Sequence, residues 1–209
     1  KVWRRILLHA AGCHMYVVLR SAVGVATLAL SDMVLAPGGL FSAAVMPAPP
    51  FYLFSDAASE ADSGGLGGWV HGEWWTLALT AEDRSLMHIT ALEFAALAIN
   101  VLLYGTELHG YHVQLLSDSL ATVLTVNNGV ARAPMLQAIL RLLRATPEFQ
   151  ALFPTMDEFH VFGEVNVFAD AASRLKLDVI QSLSTQLGIA ARQIQLPARA
   201  LHFFEAVRT

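Results

Sequence analysis

The chain has 209 residues, with 13 Lys and Arg against 17 Asp and Glu and a formal net charge of −4. Hydrophobic residues make up 55% and charged residues only 14%, which excludes a disordered chain and suggests a surface partly covered by something else. The acidic balance argues against a free-standing, non-specific nucleic-acid binder, so a nucleic-acid function needs local basic groups, metal ions or a neighbouring domain.

Residues 1–50 read as one or two apolar helices followed by a loop, with "APGG" at 36–39 and "MPAPP" at 46–50 as the loop signals. The most membrane-like stretch, Val17 to Leu30, carries Arg20 and is closed by Asp32. It falls short of the roughly 20 apolar residues a span needs, so a buried helix is expected. Cys13 is the one cysteine, which excludes an internal disulfide and a cysteine-based zinc cluster. The eight histidines form no H-E-x-x-H spacing. A start at Lys1 rather than Met suggests a piece of a longer protein.

From residue 51 the pattern changes. "FYLFSD" (51–56) is a short strand ending on an acid, "DSGGLGG" (62–68) a hairpin-type turn, and "WVHGEWWTLAL" (69–79) two more strands. The glycines invite a phosphate-loop reading, but no Lys-Ser/Thr follows them. "ITALEFAALAINVLLYG" (89–105) is a long helix stopped by Gly105, and "YHVQLLSDS" (111–119) a strand reaching Asp118. Helices follow at 120–129 and 133–145, the second with Pro134 in its first turn. "EFHVFG" (158–163) is a last strand, "ADAASR" a helix start at Asp170, and 175–209 a helical remainder. Meandering strands followed by helix-linked strands predict a mixed sheet with helices on its faces.

Four acids fall at matched places in this order: Asp56 and Asp118 at strand ends, Glu93 in the first long helix, and Asp170 at the last helix start. Strand ends are where open mixed sheets gather their chemistry. Taken singly, Asp56 and Asp118 are ordinary turn residues and Asp170 an ordinary cap. Glu93 is less ordinary. Its helical neighbours Ile89, Thr90, Ala96 and Leu97 make a nearly apolar face, and no Lys or Arg lies between Ser85 and Gln114. A carboxylate there is costly unless paired or bound to metal. Four converging acids with no basic cluster repel unless divalent cations sit among them, and hard oxygen ligands suit Mg²⁺ or Mn²⁺.

"FSDAASEADSGGLGGWV", "ITALEFAALAI", "LLSDSLATV" and "HVFGEVNVFADAASR" resemble the four signature blocks of the ribonuclease H domain of retroelement polyproteins. The last is similar to the H-x-P-G-x-x-N-x-x-A-D-A-x-S-R pattern of gypsy-like and DIRS-like elements, with Phe162 in place of its proline. "GEWW…HITALEF" resembles a DIRS-like stretch with Thr90 in place of Asn. The resemblance covers about residues 51–174. It implies an α/β fold: a ribonuclease H-like mixed five-stranded sheet flanked by helices over 51–176, with helical N- and C-terminal extensions. Residues 1–50 would be the end of a reverse-transcriptase thumb or connection, and 177–209 a C-terminal extension.

The activity implied is cleavage of the RNA strand of RNA–DNA hybrids by an intracellular enzyme. Asp56, Glu93, Asp118 and Asp170 would be catalytic and would hold two Mg²⁺ or Mn²⁺ ions. The implied partners are the hybrid and the reverse-transcriptase domain of the same polyprotein, with no membrane. Thr90, Ser119, Asn127 and Asn128 are candidate contacts to sugar or phosphate, though caps and turns use the same residues. Two departures stand out. The loop from Glu164 to Val167 lacks the histidine many ribonucleases H carry, and His160 falls within the strand instead. The basic protrusion of the family is also missing, the helix at 133–145 offering only Arg141 and Arg144. A different class remains open: a retroelement-derived fold serving as a non-catalytic subunit of a larger assembly.

Overall fold

A computed structural model describes residues 50–208. The expected thumb or connection segment at 1–50 lies, apart from Pro50, outside the described residues.

The sheet is built around β1 (Phe51–Ala57), whose residues are buried on both faces, as a central strand requires. β2 (Gly65–Val70) pairs antiparallel with β1, and β3 (Glu73–Ala78) antiparallel with β2. On its other side β1 pairs parallel with β4 (Val113–Ser117), which pairs parallel with β5 (Met156–His160). The five expected strands are joined by a sixth, the two-residue β6 (Arg192–Gln193), parallel to β3. The order is β5-β4-β1-β2-β3-β6, a mixed α/β sheet flanked by helices. Sequence periodicity alone did not reveal β6, because two residues carry none.

After β3 come α1 (Ala81–Leu86) and α2 (Ile89–Tyr104). α2 is buried along nearly its whole length, leaving only Ile89, Thr90, Glu93 and Leu103 outside the buried set. A helix that is apolar all round belongs inside a core, and α2 packs on the sheet face carrying Leu53, Ala57, Leu66, Trp75 and Leu115. α3 (Leu120–Asn128), α4 (Pro134–Arg144) and α5 (Pro147–Leu152) follow β4. α6 (Val167–Ser173) follows β5 and covers the opposite face, where Phe168 stacks on Trp69 at 3.8 Å between ring centroids.

Residues 177–208 hold α7 (Leu177–Leu187), β6 and α8 (Ala198–Arg208). α8 places Ala200, Phe203, Phe204 and Val207 in the same core as α2. Arg208 Nη1 donates to Asp83 Oδ1 at 2.9 Å, tying α8 to the start of α1. Among the described residues no helix is long and apolar enough to cross a membrane.

The hairpin turn expected over 62–68 is shorter than that: it lies at residues 61–63, between β1 and β2, and Gly65, Gly67 and Gly68 lie inside β2. The reason is close packing on both faces. A Cβ on Gly67 would sit 2.7 Å from the carbonyl carbon of Ala172 and 2.8 Å from the oxygen of Ala169, so α6 rests its backbone directly on this strand. On the other face, a Cβ on Gly68 would meet Asn100 Oδ1 at 2.6 Å.

Candidate active site

Register brings the first two acids together. β1 and β4 run parallel with Ser55 opposite Ser117, so Asp56 and Asp118 occupy the next matched positions at the same ends of adjacent strands. Neighbouring strands lie about 4.8 Å apart. Asp56 shares the α6 face of β1 with Phe54, and Gly67 is its partner on β2. The missing side chain at Gly67 is therefore what lets α6 close over Asp56.

α6 arrives with three anchors. Asn166 Nδ2 donates to the Ser55 carbonyl at 2.9 Å. Thr76 Oγ1 donates to the Ala172 carbonyl at 2.8 Å. Ser173 Oγ lies 2.5 Å from Asp56 Oδ2 and 2.9 Å from the Asp170 carbonyl. A hydroxyl has one hydrogen, so these two contacts describe alternatives. When Asp56 is ionised, Ser173 donates to it. When Asp56 is protonated, it donates to Ser173, which then donates to the Asp170 carbonyl.

Both states of Asp56 are accessible near neutrality. Its side chain is only 5% exposed. Burial pushes its pKa up to about 7, against the lowering effect of the Ser173 hydrogen bond, with further upward pressure from Asp118 and Asp170. Glu93 is half-buried and also raised, first by burial; the Ser119 hydroxyl opposes this, Asp118 adds to it, and His88 opposes it. Asp118 thus feels Asp56 from the neighbouring strand and Glu93 from the helix on the opposite face. Its Oδ1 is buried and has no hydrogen-bond partner.

Asp170 differs from expectation. It does not cap its helix: Asn166 occupies the N-cap and Asp170 lies within the first turn. Its Oδ1 accepts from Arg174 Nε at 2.7 Å, an i,i+4 pair, and Arg174 also reaches Glu60. The expectation of acids without a basic partner therefore fails at this one member. Among the described residues no three His, Cys, Asp or Glu side chains converge closely enough to cage a metal ion. The acids are electrostatic neighbours rather than a closed ligand shell, with Asp170 turned towards Arg174.

The donor set still fits a hard divalent cation. It consists of carboxylate oxygens, one of them, Asp118 Oδ1, buried with nothing to satisfy it. Asp56, Glu93, Asp118 and Asp170 are the residues that would hold such ions.

The four candidate substrate contacts separate. Thr90 and Ser119 lie beside the acids, in the first turn of α2 and at the N-cap of α3. Ser119 accepts from Thr122 N and from Thr122 Oγ1 at 3.0 Å, and its own hydrogen serves Glu93. Asn127 and Asn128 sit at the far end of α3, about 12 Å along its axis from Ser119. Asn127 donates to the Glu158 carbonyl at 3.1 Å, a tie between α3 and β5. These two are not brought to the acids.

Sequence reasoning missed Ser173, Asn166, Gly67 and Arg174. Ser173 and Arg174 were visible in principle, three and four residues after Asp170 and hence on its helical face. Asn166 is the asparagine of the quoted block around Asp170, but its bond to Ser55, like the role of Gly67, depends on long-range packing.

No family model matches the chain, and no curated protein matches it. Among solved structures, it is similar to the ribonuclease H1 of the halophilic archaeon Halobacterium salinarum NRC-1. The TM-score is 0.45 at 17% identity, over 62% of this chain and 98% of that one.

Proposed function

We propose that residues 51–176 form a metal-dependent endonuclease that cleaves the RNA strand of RNA–DNA hybrids, working within a retroelement reverse transcriptase. The observation that carries this reading is the placement of Asp118 between Asp56 and Glu93, with a buried oxygen that has no protein partner. Turn residues make local backbone bonds; a buried carboxylate oxygen with no protein partner, set among other acids, is open to a cation or water. The four ordered sequence blocks support the same reading.

Mg²⁺ or Mn²⁺, held by Asp56, Glu93, Asp118 and Asp170, would supply Lewis-acid chemistry for the scissile phosphate and an activated water. The chain's own residues prepare the place. β1 carries Asp56, and Asp118 follows directly on the last residue of β4. Ser173 stabilises the ionised form of Asp56 against burial and its acidic neighbours. Arg174 balances the charge of Asp170. The wide minor groove and 2′-hydroxyls of an A-form-like hybrid provide the discrimination against duplex DNA.

A second reading, a non-catalytic subunit of a larger assembly, draws on the Asp170–Arg174 pair, which occupies one proposed ligand. Purified protein incubated with a labelled hybrid and Mg²⁺ or Mn²⁺ separates the two. The catalytic reading expects RNA fragments, intact duplex DNA, and no cleavage by Asp118→Asn. Folded protein that leaves the hybrid whole with both metals favours the subunit.

A further inference from the structure

Phe162 is 72% exposed, the most open of the exposed large hydrophobic side chains among the described residues. An isolated surface apolar residue needs no explanation. This one is held in place and stands at the lip of the acid site. Val161 N donates to the Ser117 carbonyl at 2.9 Å, Val165 N to the Phe162 carbonyl at 2.9 Å, and Asn166 N to the Gly163 carbonyl at 3.1 Å. The ring is therefore presented by a fixed turn.

The residues flanking Phe162 touch Asp118. His160 Nε2 lies 3.1 Å from the Asp118 carbonyl, and a Cβ on Gly163 would lie 3.4 Å from Asp118 Oδ2. The His160 ring meets Phe162 edge-on, with centroids 6.1 Å apart and planes at 79°. His160, against which Phe162 packs, therefore borders Asp118.

Charge points the same way. The chain carries more acids than bases, and Arg174, the base at the site, is paired with Asp170 and Glu60. Attraction of phosphates to cations, the usual main source of affinity, is thin here. Aromatic contact with bases and sugars does not depend on charge.

Resting on the proposed nuclease reading, we infer that Phe162 is an apolar platform for the sugar–base surface of the nucleic-acid strand entering the site at Asp118. It is a binding residue that sets affinity and position, and it takes no part in the chemistry.

The test is equilibrium binding of a fluorescently labelled RNA–DNA hybrid to the full chain in Mg²⁺, in an Asp118→Asn background that stops cleavage. Phe162→Ala is expected to weaken binding roughly tenfold, as losing part of the burial of a phenylalanine ring predicts, and Phe162→Trp to restore it. The ratio between the two dissociation constants should hold between about 50 and 200 mM salt, because no phosphate contact is lost. The exposed ring predicts an unchanged melting temperature. Equal binding by Phe162→Ala and its parent overturns the platform while leaving the nuclease reading standing. A parent that does not bind the hybrid overturns the platform, and overturns the nuclease reading as well if wild type leaves the hybrid whole. If sedimentation shows self-association that Phe162→Ala abolishes without affecting hybrid binding, the ring is a protein contact and the platform is overturned.

Discussion

Ser173 and Asp56 are 117 residues apart in sequence, yet their side-chain oxygens lie 2.5 Å apart beneath α6. The hydroxyl is the principal group holding down the Asp56 pKa, which burial has raised to about 7. A carboxylate raised above its ordinary 3.8 keeps its proton in the native state while the unfolded chain has released it. Stability therefore falls as pH rises from about 4 towards 7. Ser173→Ala removes a donor to the ionised form, so its penalty should be smaller at pH 4 than at pH 8, where about 1.5–3 kcal/mol is expected for a bond to a charged group. Denaturant melts at the two pH values check this. A penalty independent of pH would contradict the assigned role.

Gly67 should be intolerant of even one added methyl. The Cβ of Gly67→Ala would press on the backbone of Ala169, Ala172 and Ser173, which cannot swing aside as a flexible side chain can. Overpacking of this kind costs typically 1–3 kcal/mol. It should also lift α6, loosening the Ser173–Asp56 bond and the Trp69–Phe168 stack. Loss of near-ultraviolet ellipticity with retained far-ultraviolet signal would report that displacement. A variant as stable as wild type would contradict the close packing.

Glu158, on β5, has no part in the acid cluster. Both its carboxylate oxygens are buried without a partner, and burial pushes its pKa up to about 9. The native state keeps this proton well above the ordinary 4.5, so stability is lost as pH rises between those values. At pH 7 the loss amounts to about 3 kcal/mol. Glu158→Gln is neutral at every pH. It should match wild type near pH 4.5 and exceed it at pH 8, which paired thermal melts would show.

How far the sequence was legible varies by feature. The strand ends carrying Asp56 and Asp118 and the all-apolar α2 announced themselves through local pattern, and they fix most of the sheet. The glycines of β2 misled because glycine ordinarily marks a turn, while here it answers to a helix packed from 100 residues further along. β6 was invisible for a similar reason: it exists through Arg192 N on the Gly72 carbonyl and Ile194 N on the Trp74 carbonyl. Within the site, residue types gave the acids but not their partners. Arg174 and Ser173 lay in the quoted block around Asp170, and only the fold showed that one pairs with Asp170 and the other with Asp56.

The central claim is that Asp118 belongs to a divalent-metal site. Asp118 Oδ1 makes no hydrogen bond that an amide would forfeit, and its negative charge raises the pKa of both Asp56 and Glu93. Without metal, Asp118→Asn should therefore melt at or above the wild-type temperature. Metal that binds only the native state stabilises it by mass action, so Mg²⁺ should raise the melting temperature of wild type and leave that of Asp118→Asn unchanged. Thermal melts of the two proteins, in EDTA and in Mg²⁺, give the answer. A wild type indifferent to Mg²⁺, beside a destabilised Asp118→Asn, would contradict the account.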